Sequence, residues 1–553
     1  MSTDTPMTKT ANCSNCNDSA TESLHSLLEG EESRCGRGEE RSKRKRINIC
    51  CNPVSQVVWG VIFIIISISG YIFPPREVML WEKLNMRPGF PPYDWWSDPP
   101  DQVKMRAYIF NVTNHERFLQ GLDAKINVEE IGPIVYLEKL NHLDIRFNEN
   151  STLTYTAKRH LIYLPEDNHI DLNRTVIAPN LALLGIASYL HDADFFIRSG
   201  FVGLASLHSS KFFVEKTVYQ YLWDFRDNIL DTSQRVVPGM VPTNNMGMLS
   251  RIYDGFSDNY TVKIGPQWGH HEFFKIDRLN GAQNFREYDI HKCRDRVTGA
   301  TEGVMYHHHM SKSDVLYALR KTVCKPLPLY FDKELKMEGV PVYRYNLSEQ
   351  AFDRQRNGSD CYATDDPLPD GVSDASKCFF DFPMVASYPH FYTGSPHKDA
   401  YVTGLKPDSE KHRSYVIVEP ITGTPYDAVA RLQCNLRISD LSGFYSTMYE
   451  KFSNLILPIG WIEYHQEGLP ARVKQAIYFM VVILPPLSTV IFIMTFLLGS
   501  SLIIKQIITQ KINKEILPSI INFKSQKDDT KLSDNNIYTY EKELFLRKPQ
   551  LSR

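Results

Sequence analysis

VSQVVWGVIFIIISISGYIF, residues Val54–Phe73, and AIYFMVVILPPLSTVIFIMTFLLGSSLII, residues Ala476–Ile504, decide how this chain is built. A helix needs about 20 apolar residues at 1.5 Å rise to cross the roughly 30 Å hydrocarbon of a bilayer, and both stretches reach that length. One lies near each end, so the chain reads as an integral membrane hairpin. The flanks give its orientation, because short loops rich in Lys and Arg stay on the cytoplasmic side. Arg41, Lys43, Arg44, Lys45 and Arg46 precede the first span, and Lys505, Lys511 and Lys514 follow the second. Residues 1–53 and 505–553 are therefore expected in the cytoplasm and residues 74–475 outside it, in one continuous domain. A cleaved signal peptide would be N-terminal with a short apolar region, whereas this segment is full length and follows a basic tail. It reads as an uncleaved signal anchor. Pro485-Pro486 lies within the second span, where neighbouring groups satisfy the carbonyls that proline leaves free.

The exterior placement exposes the middle to glycosylation and oxidation. Six sequons fall there, at Asn111, Asn150, Asn173, Asn259, Asn346 and Asn357, while those at Asn12 and Asn17 fall in the cytoplasmic tail and are expected to stay bare. Five cysteines are cytoplasmic and five external. Cys50 and Cys51 precede the membrane in a basic context suited to S-acylation. Cys13 and Cys16 have metal-ligand spacing, but no second pair completes four ligands. Outside, five cysteines allow two bridges and a spare in fifteen arrangements.

A net charge of −2 argues against nucleic acid, which calls for a basic excess. Arg431–Ile438 alternates Arg431, Gln433, Asn435 and Arg437 with Leu432, Cys434, Leu436 and Ile438, the pattern of a strand with one buried face. Cys434 is then the natural leftover, a buried free thiol. Val103–Asn111, Ile134–Phe147, Thr152–Leu164, Val340–Tyr345 and Tyr415–Glu419 read as further strands. Asn180–Phe225 has few breakers and helical apolar spacing, so a small helical bundle is expected within a β framework.

Several segments taken together resemble the class B scavenger receptors, the family of the fatty-acid translocase, the lysosomal integral membrane protein and the insect sensory-neuron membrane proteins. They are Phe110-Asn111-Val112-Thr113-Asn114, Glu130-Ile131-Gly132-Pro133, Gly339-Val340-Pro341-Val342-Tyr343-Arg344, Tyr388-Pro389-His390-Phe391, His412-Arg413-Ser414-Tyr415 and Glu419-Pro420-Ile421-Thr422-Gly423. The resemblance runs in order from Val54 to Ile504. It implies an α+β fold, with a large, mostly antiparallel, β-barrel-like ectodomain. An internal apolar tunnel is implied beneath an apex bundle near residues 180–225, anchored by two transmembrane helices. It also implies Cys293–Cys361 and Cys324–Cys378 bridges. At the apex the family uses basic residues to attract acidic lipids, lipoproteins or anionic phospholipid surfaces; Lys211 is the nearest match, with Arg198 and His208 beside it. The alternative for Lys211 is a solvated surface charge. Phe195, Phe196 and Phe201 form either an exposed lipid-gathering patch or a helix core.

His307-His308-His309 places at most His307 and His309 on one face of a strand, with no nearby ligand set to complete a metal site, so a polar surface turn is expected. No hydrolase, phosphate-loop or zincin signature occurs; His271-Glu272 lacks a second histidine. Neither an enzyme nor a bound metal or cofactor is expected. A trimeric ligand-gated channel shares the hairpin topology, but the spans offer a water path only Ser67, Ser69, Gly70, Ser488 and Thr489. Glu22-Ser23-Leu24-His25-Ser26-Leu27-Leu28 resembles an acidic dileucine signal with one residue too many, which favours the plasma membrane over the endosome or lysosome. The expectation is a receptor that takes lipid or lipoprotein at its apex and passes apolar cargo toward the membrane. Its tail partners and any self-association are left open.

Overall fold

The computed structural model describes residues 53–100, 102–236, 241, 243–253, 257–284, 297–353, 368–393 and 402–528, with side chains to Lys514. The expectations for Cys50, Cys51, Cys293, Cys361, Asn357 and the two terminal tails lie outside those residues. The chain divides into two units, Phe73–Ser488 and Met1–Ile72 with Thr489–Arg553.

In the latter unit the first apolar stretch forms a helix, Pro53–Ile72. Small residues let it meet the C-terminal helix closely. A Cβ on Gly499 would fall 2.7 Å from the Gly60 carbonyl, and one on Gly60 would fall 2.9 Å from the Gly499 carbonyl. The Ser67 hydroxyl donates to the Phe492 carbonyl at 2.7 Å. The second apolar stretch begins earlier and ends later than expected, as Ala471–Tyr478, a π-turn at Phe479–Ile483 and a helix Leu484–Asp528. A proline ring clashes with the carbonyl four residues back, and the wide turn just before Pro485-Pro486 takes up that misfit.

The unit Phe73–Ser488 is built on strands. They are β1 (Val103–Val112), β2 (Ile126–Phe147), β3 (Thr152–Tyr163), β4 (Thr175–Pro179), β5 (Phe213–Thr217), β6 (Asp258–Lys263), β7 (Ile276–Leu279) and β8 (Leu316–Arg320). The later strands are β9 (Lys325–Met337), β10 (Val340–Leu347), β11 (Val372–Asp374), β12 (Met384–Ser387), β13 (Val402–Thr403), β14 (Tyr415–Glu419), β15 (Thr424–Arg437) and β16 (Ile456–Gln466). One 14-stranded sheet runs β7-β6-β3-β2-β1-β16-β15-β14-β10-β9-β8, with β12 branching from β15, β11 pairing β12 and β13 pairing β2 off that path, while β4 and β5 pair separately. Its pairings are antiparallel except β13 with β2.

The sheet does not close into a barrel, which corrects that part of the expectation. β7 and β8 end it unpaired to each other. Residues 299–301 span the gap instead: Gly299 N donates to Ile276 O at 2.9 Å and Thr301 N to Tyr317 O at 2.7 Å. A connector this short supplies only single bridges, not a ladder. Arg431–Ile438 lies mostly in β15 and also departs from expectation, because Gln433 and Asn435 are fully buried along with Leu436. The polar face packs on β12, where the Asn435 amide donates to Ser387 Oγ at 3.0 Å and Gln433 Oε1 accepts the His390 amide at 2.7 Å. The largest apolar core lies between the central strands and the helices Leu181–Tyr189 and Phe195–Leu207.

Candidate functional site

Asn180 starts the helical segment by capping it, its Oδ1 accepting the Leu183 amide at 3.1 Å, as Asn at an N-cap does. The helix Leu181–Tyr189 is almost wholly buried, whereas Phe195–Leu207 is amphipathic. The three phenylalanines therefore divide. Phe201 is core, packing on Phe444, while Phe195 and Phe196 are 53 % and 83 % exposed. Phe195 also meets the exposed ring of Tyr445, so an apolar patch stands at this surface.

The three basic candidates differ in kind. Arg198 is held by structure: Nη1 donates to the His191 carbonyl at 2.8 Å, and its guanidinium lies so close to Gly443 that a Cβ there would meet it at 2.8 Å. The His208 ring pairs with Thr232 Oγ1 at 2.9 Å. Lys211 is exposed, and among the described residues no carboxylate pairs with its ammonium. Its carbonyl accepts from Asn180 Nδ2 at 3.0 Å, which fixes the backbone and leaves the side chain to solvent.

Beneath these helices lies a cavity of about 1030 Å³, lined among others by Leu190, Phe201, Leu204, Phe379, Cys434 and Ile459. Cys434 is a free thiol whose residual exposure is to this cavity, and burial pushes its pKa up to about 12. It therefore behaves as a small apolar lining group, not a nucleophile. A second cavity of about 390 Å³ is walled by Leu80, Trp95, Leu140, Ala430, Ile477 and Met480 among others. Between them sits a small space of about 60 Å³, which shares Ile252 with the first cavity and Glu138, Arg159, Arg320 and Tyr464 with the second.

That junction is charged. Arg159 pairs with Glu302, and its Nε lies 3.4 Å from Glu138 Oε1. Tyr155 and Tyr253 donate to Glu302 at 2.7 Å and to Glu138 at 2.6 Å. Burial pushes the Glu302 carboxyl up, but Arg159, His142 and the Tyr155 hydroxyl outweigh it and hold it below its ordinary value. Arg320 is different. It stacks over the Tyr464 ring at 5.3 Å and pairs with no carboxylate among the described residues. It lines both the small space and the second cavity. Sequence reading missed these residues, although β3 carries a signal: Arg159 has the parity of buried Leu153, Tyr155 and Ala157.

His307 and His308 are buried, not a polar surface turn. The chain there lies against the turn after β14, Tyr306 N donating to Gly423 O at 2.9 Å and Met310 N to Pro420 O at 2.7 Å. Gly423 has φ 67°, and a Cβ would lie 2.1 Å from the Tyr306 carbonyl, so only glycine fits. Glu419 holds this turn from within, accepting the Ile421 and Thr422 amides at 3.0 and 2.7 Å. A disulfide joins Cys324 to Cys378. Of the described sequon asparagines, Asn150 and Asn173 are exposed, and Asn111, Asn259 and Asn346 are half-buried.

Among the described residues are two helices long and apolar enough to cross a membrane and a large antiparallel sheet with apolar cavities against it, which fits a membrane-anchored protein. Residues 58–510 match the model of the CD36 family, and the chain belongs to that family. It is similar to scavenger receptor class B member 1 of Cricetulus griseus, 26 % identical over 83 % of this chain and 89 % of that protein. It is also similar to lysosome membrane protein 2 of Homo sapiens, 30 % identical over 66 % of this chain and 75 % of that protein.

Proposed function

We propose that this protein is a cell-surface class B scavenger receptor. It takes lipid or lipoprotein-like particles at the helical segment of residues 180–225 and passes apolar cargo through its chambers toward the membrane, with both tails cytoplasmic. The cavity of about 1030 Å³ beside exposed Phe195 and Phe196 carries the reading. Its volume stands at the top of the roughly 300–1,000 Å³ range of small-molecule sites. A lipid released into water would lose about 0.8 kcal/mol per exposed methylene, so an apolar route between particle and bilayer removes the main barrier to transfer. Lys211, exposed and without a carboxylate partner among the described residues, supports the capture of anionic surfaces by raising encounter rates.

The test is uptake of a fluorescent long-chain lipid and of labelled lipoprotein by cells expressing the chain, with surface copy number and whole-cell current measured in parallel. Uptake without current, lowered severalfold in Lys211→Glu at equal surface copy number, is expected. Ligand-evoked current without lipid uptake would establish the channel alternative instead. Lipid handling confined to acidic vesicles, with no surface pool, would move the protein to the endosomal or lysosomal membrane.

A further inference from the structure

Three potential metal ligands converge in the unit Phe73–Ser488, away from the chambers' charged junction. Glu77 comes from the first turn of the helix Pro75–Leu84, His270 from the 3-10 turn His270–Glu272, and His309 from the loop before β8. One ligand atom from each lies within 4.8 Å of the others. We propose that Glu77, His270 and His309 form a site for a divalent transition metal of the zinc class. This rests on no assumption about lipid transport.

Glu77 and His270 are each held by one atom and present another. The Glu77 Oε1 is fixed by Arg76, whose Nε and Nη2 donate at 3.1 and 3.0 Å, while Oε2 lies 3.0 Å from His309 Nε2. The His270 Nδ1 is engaged by His308 Nδ1 at 2.9 Å. Its Nε2 is buried and has no hydrogen-bond partner among the described residues. An ordinary Glu77–His309 ion pair accounts for two of the three groups and leaves that nitrogen unexplained; coordination accounts for all three.

The surroundings suit ligation. A histidine ligand is normally oriented by a hydrogen bond to its second nitrogen, which is the part His308 plays toward His270. The Trp81 edge packs on the His270 ring at 4.7 Å and shields it. His309 is placed by a left-handed backbone, φ 53°, a conformation that persists where surrounding structure enforces it. Two imidazoles and one carboxylate match zinc and its neighbours and leave a position for water, whereas calcium and magnesium prefer all-oxygen sets. Zinc ligands sit about 2.0–2.2 Å from the ion, so tetrahedral donors stand roughly 3.4 Å apart, within reach of small side-chain movements from the observed spread. Occupancy ties the helix Pro75–Leu84 to two loops of the sheet domain. The same helix gives Leu80 and Lys83 to the wall of the second cavity, so the metal fixes that wall.

The full chain in detergent, stripped with chelator and titrated with Co²⁺ under an absorption readout and then with Zn²⁺, provides the test. The expected result is one saturable metal per chain. Affinity should fall at least about tenfold in Glu77→Gln and in His270→Gln and a comparable amount in the orienting variant His308→Phe, with the His191→Gln control unchanged. Thermal stability in chelator should match wild type for Glu77→Gln, which separates lost ligation from misfolding. Failure of the wild-type chain to bind Co²⁺ saturably at micromolar concentration, or unchanged binding in Glu77→Gln/His270→Gln, overturns the site.

Discussion

His412 and His390 stack nearly parallel, ring centroids 4.6 Å apart at 13°, inside a cluster whose charges all press on the His412 ring. Burial, then the neighbouring His390, push its pKa down to about 4 against the pull of Glu130 and Asp408 and with the repulsion of Arg431. Geometry agrees: His412 Nδ1 accepts the Asp408 amide at 3.1 Å, a bond that protonation of that nitrogen destroys. Glu130 joins the cluster through His390 Nε2 and Trp461 Nε1, both at 2.6 Å. The sign follows by linkage. Between the ordinary histidine value of 6.5 and about 4 the unfolded chain binds a proton here that the folded chain does not, so stability falls as pH drops through that window. Buried His142, His307 and His308 are shifted the same way, each chiefly by burial. We expect the melting temperature of the full chain to decline from pH 7.5 to 4.5. The decline should be shallower in His412→Asn, which keeps an acceptor for the Asp408 amide and does not titrate. A slope identical in the two proteins would assign the pH response elsewhere.

Among the elements, the apolar helices show what a membrane demands that water does not. With no hydrophobic drive between helices in lipid, close backbone approach is what holds them, and small residues permit it. Gly60 and Gly499 face each other across such a contact, and the Gln506 amide meets Gln56 Oε1 one helical stretch away. A cysteine pair at Gln56 and Gln506 should oxidise to an internal crosslink in high yield. Adding Gly499→Leu should cut that yield severalfold, since its side chain would collide with the Gly60 carbonyl; an unchanged yield would mean the helices do not pack through this face. Sequence exposes these helices because their whole length is apolar, and it exposes β1, β3, β10 and β14 to within two residues or so because they alternate or are β-branched. It misleads at β15, where Gln433 and Asn435 imply a solvated face. Their polar atoms are instead consumed by Ser387 and the His390 amide, partners that pairing with β12 brings from some fifty residues away. The charged junction hides for the same reason, its partners Glu138, Arg159 and Glu302 lying on separate segments.

At the scale of the molecule, two apolar chambers separated by a charged junction pose a selection problem. On the proposed route an alkyl chain would gain from either chamber, but a neutral headgroup would gain nothing at the junction, and an anionic one would meet Arg159 already neutralised by Glu302 and Glu138. Arg320 is the exception, stacked on Tyr464 with no carboxylate partner among the described residues and bordering both the small space and the second chamber. The two arginines should therefore answer substitution oppositely. Arg159→Leu strands two buried carboxylates, a loss of about 3–5 kcal/mol, and should be retained inside the cell or melt far below wild type. Arg320→Leu strands none and should reach the surface in normal amount. A hydrogen-bonded charged headgroup is worth about 1.5–3 kcal/mol, so Arg320→Leu should weaken handling of a long-chain fatty acid about tenfold or more while leaving its methyl ester unaffected. Equal losses for acid and ester would show that the substitution merely disturbs the chamber wall. No loss for either would place the route of the cargo outside these chambers, along the surface of the domain.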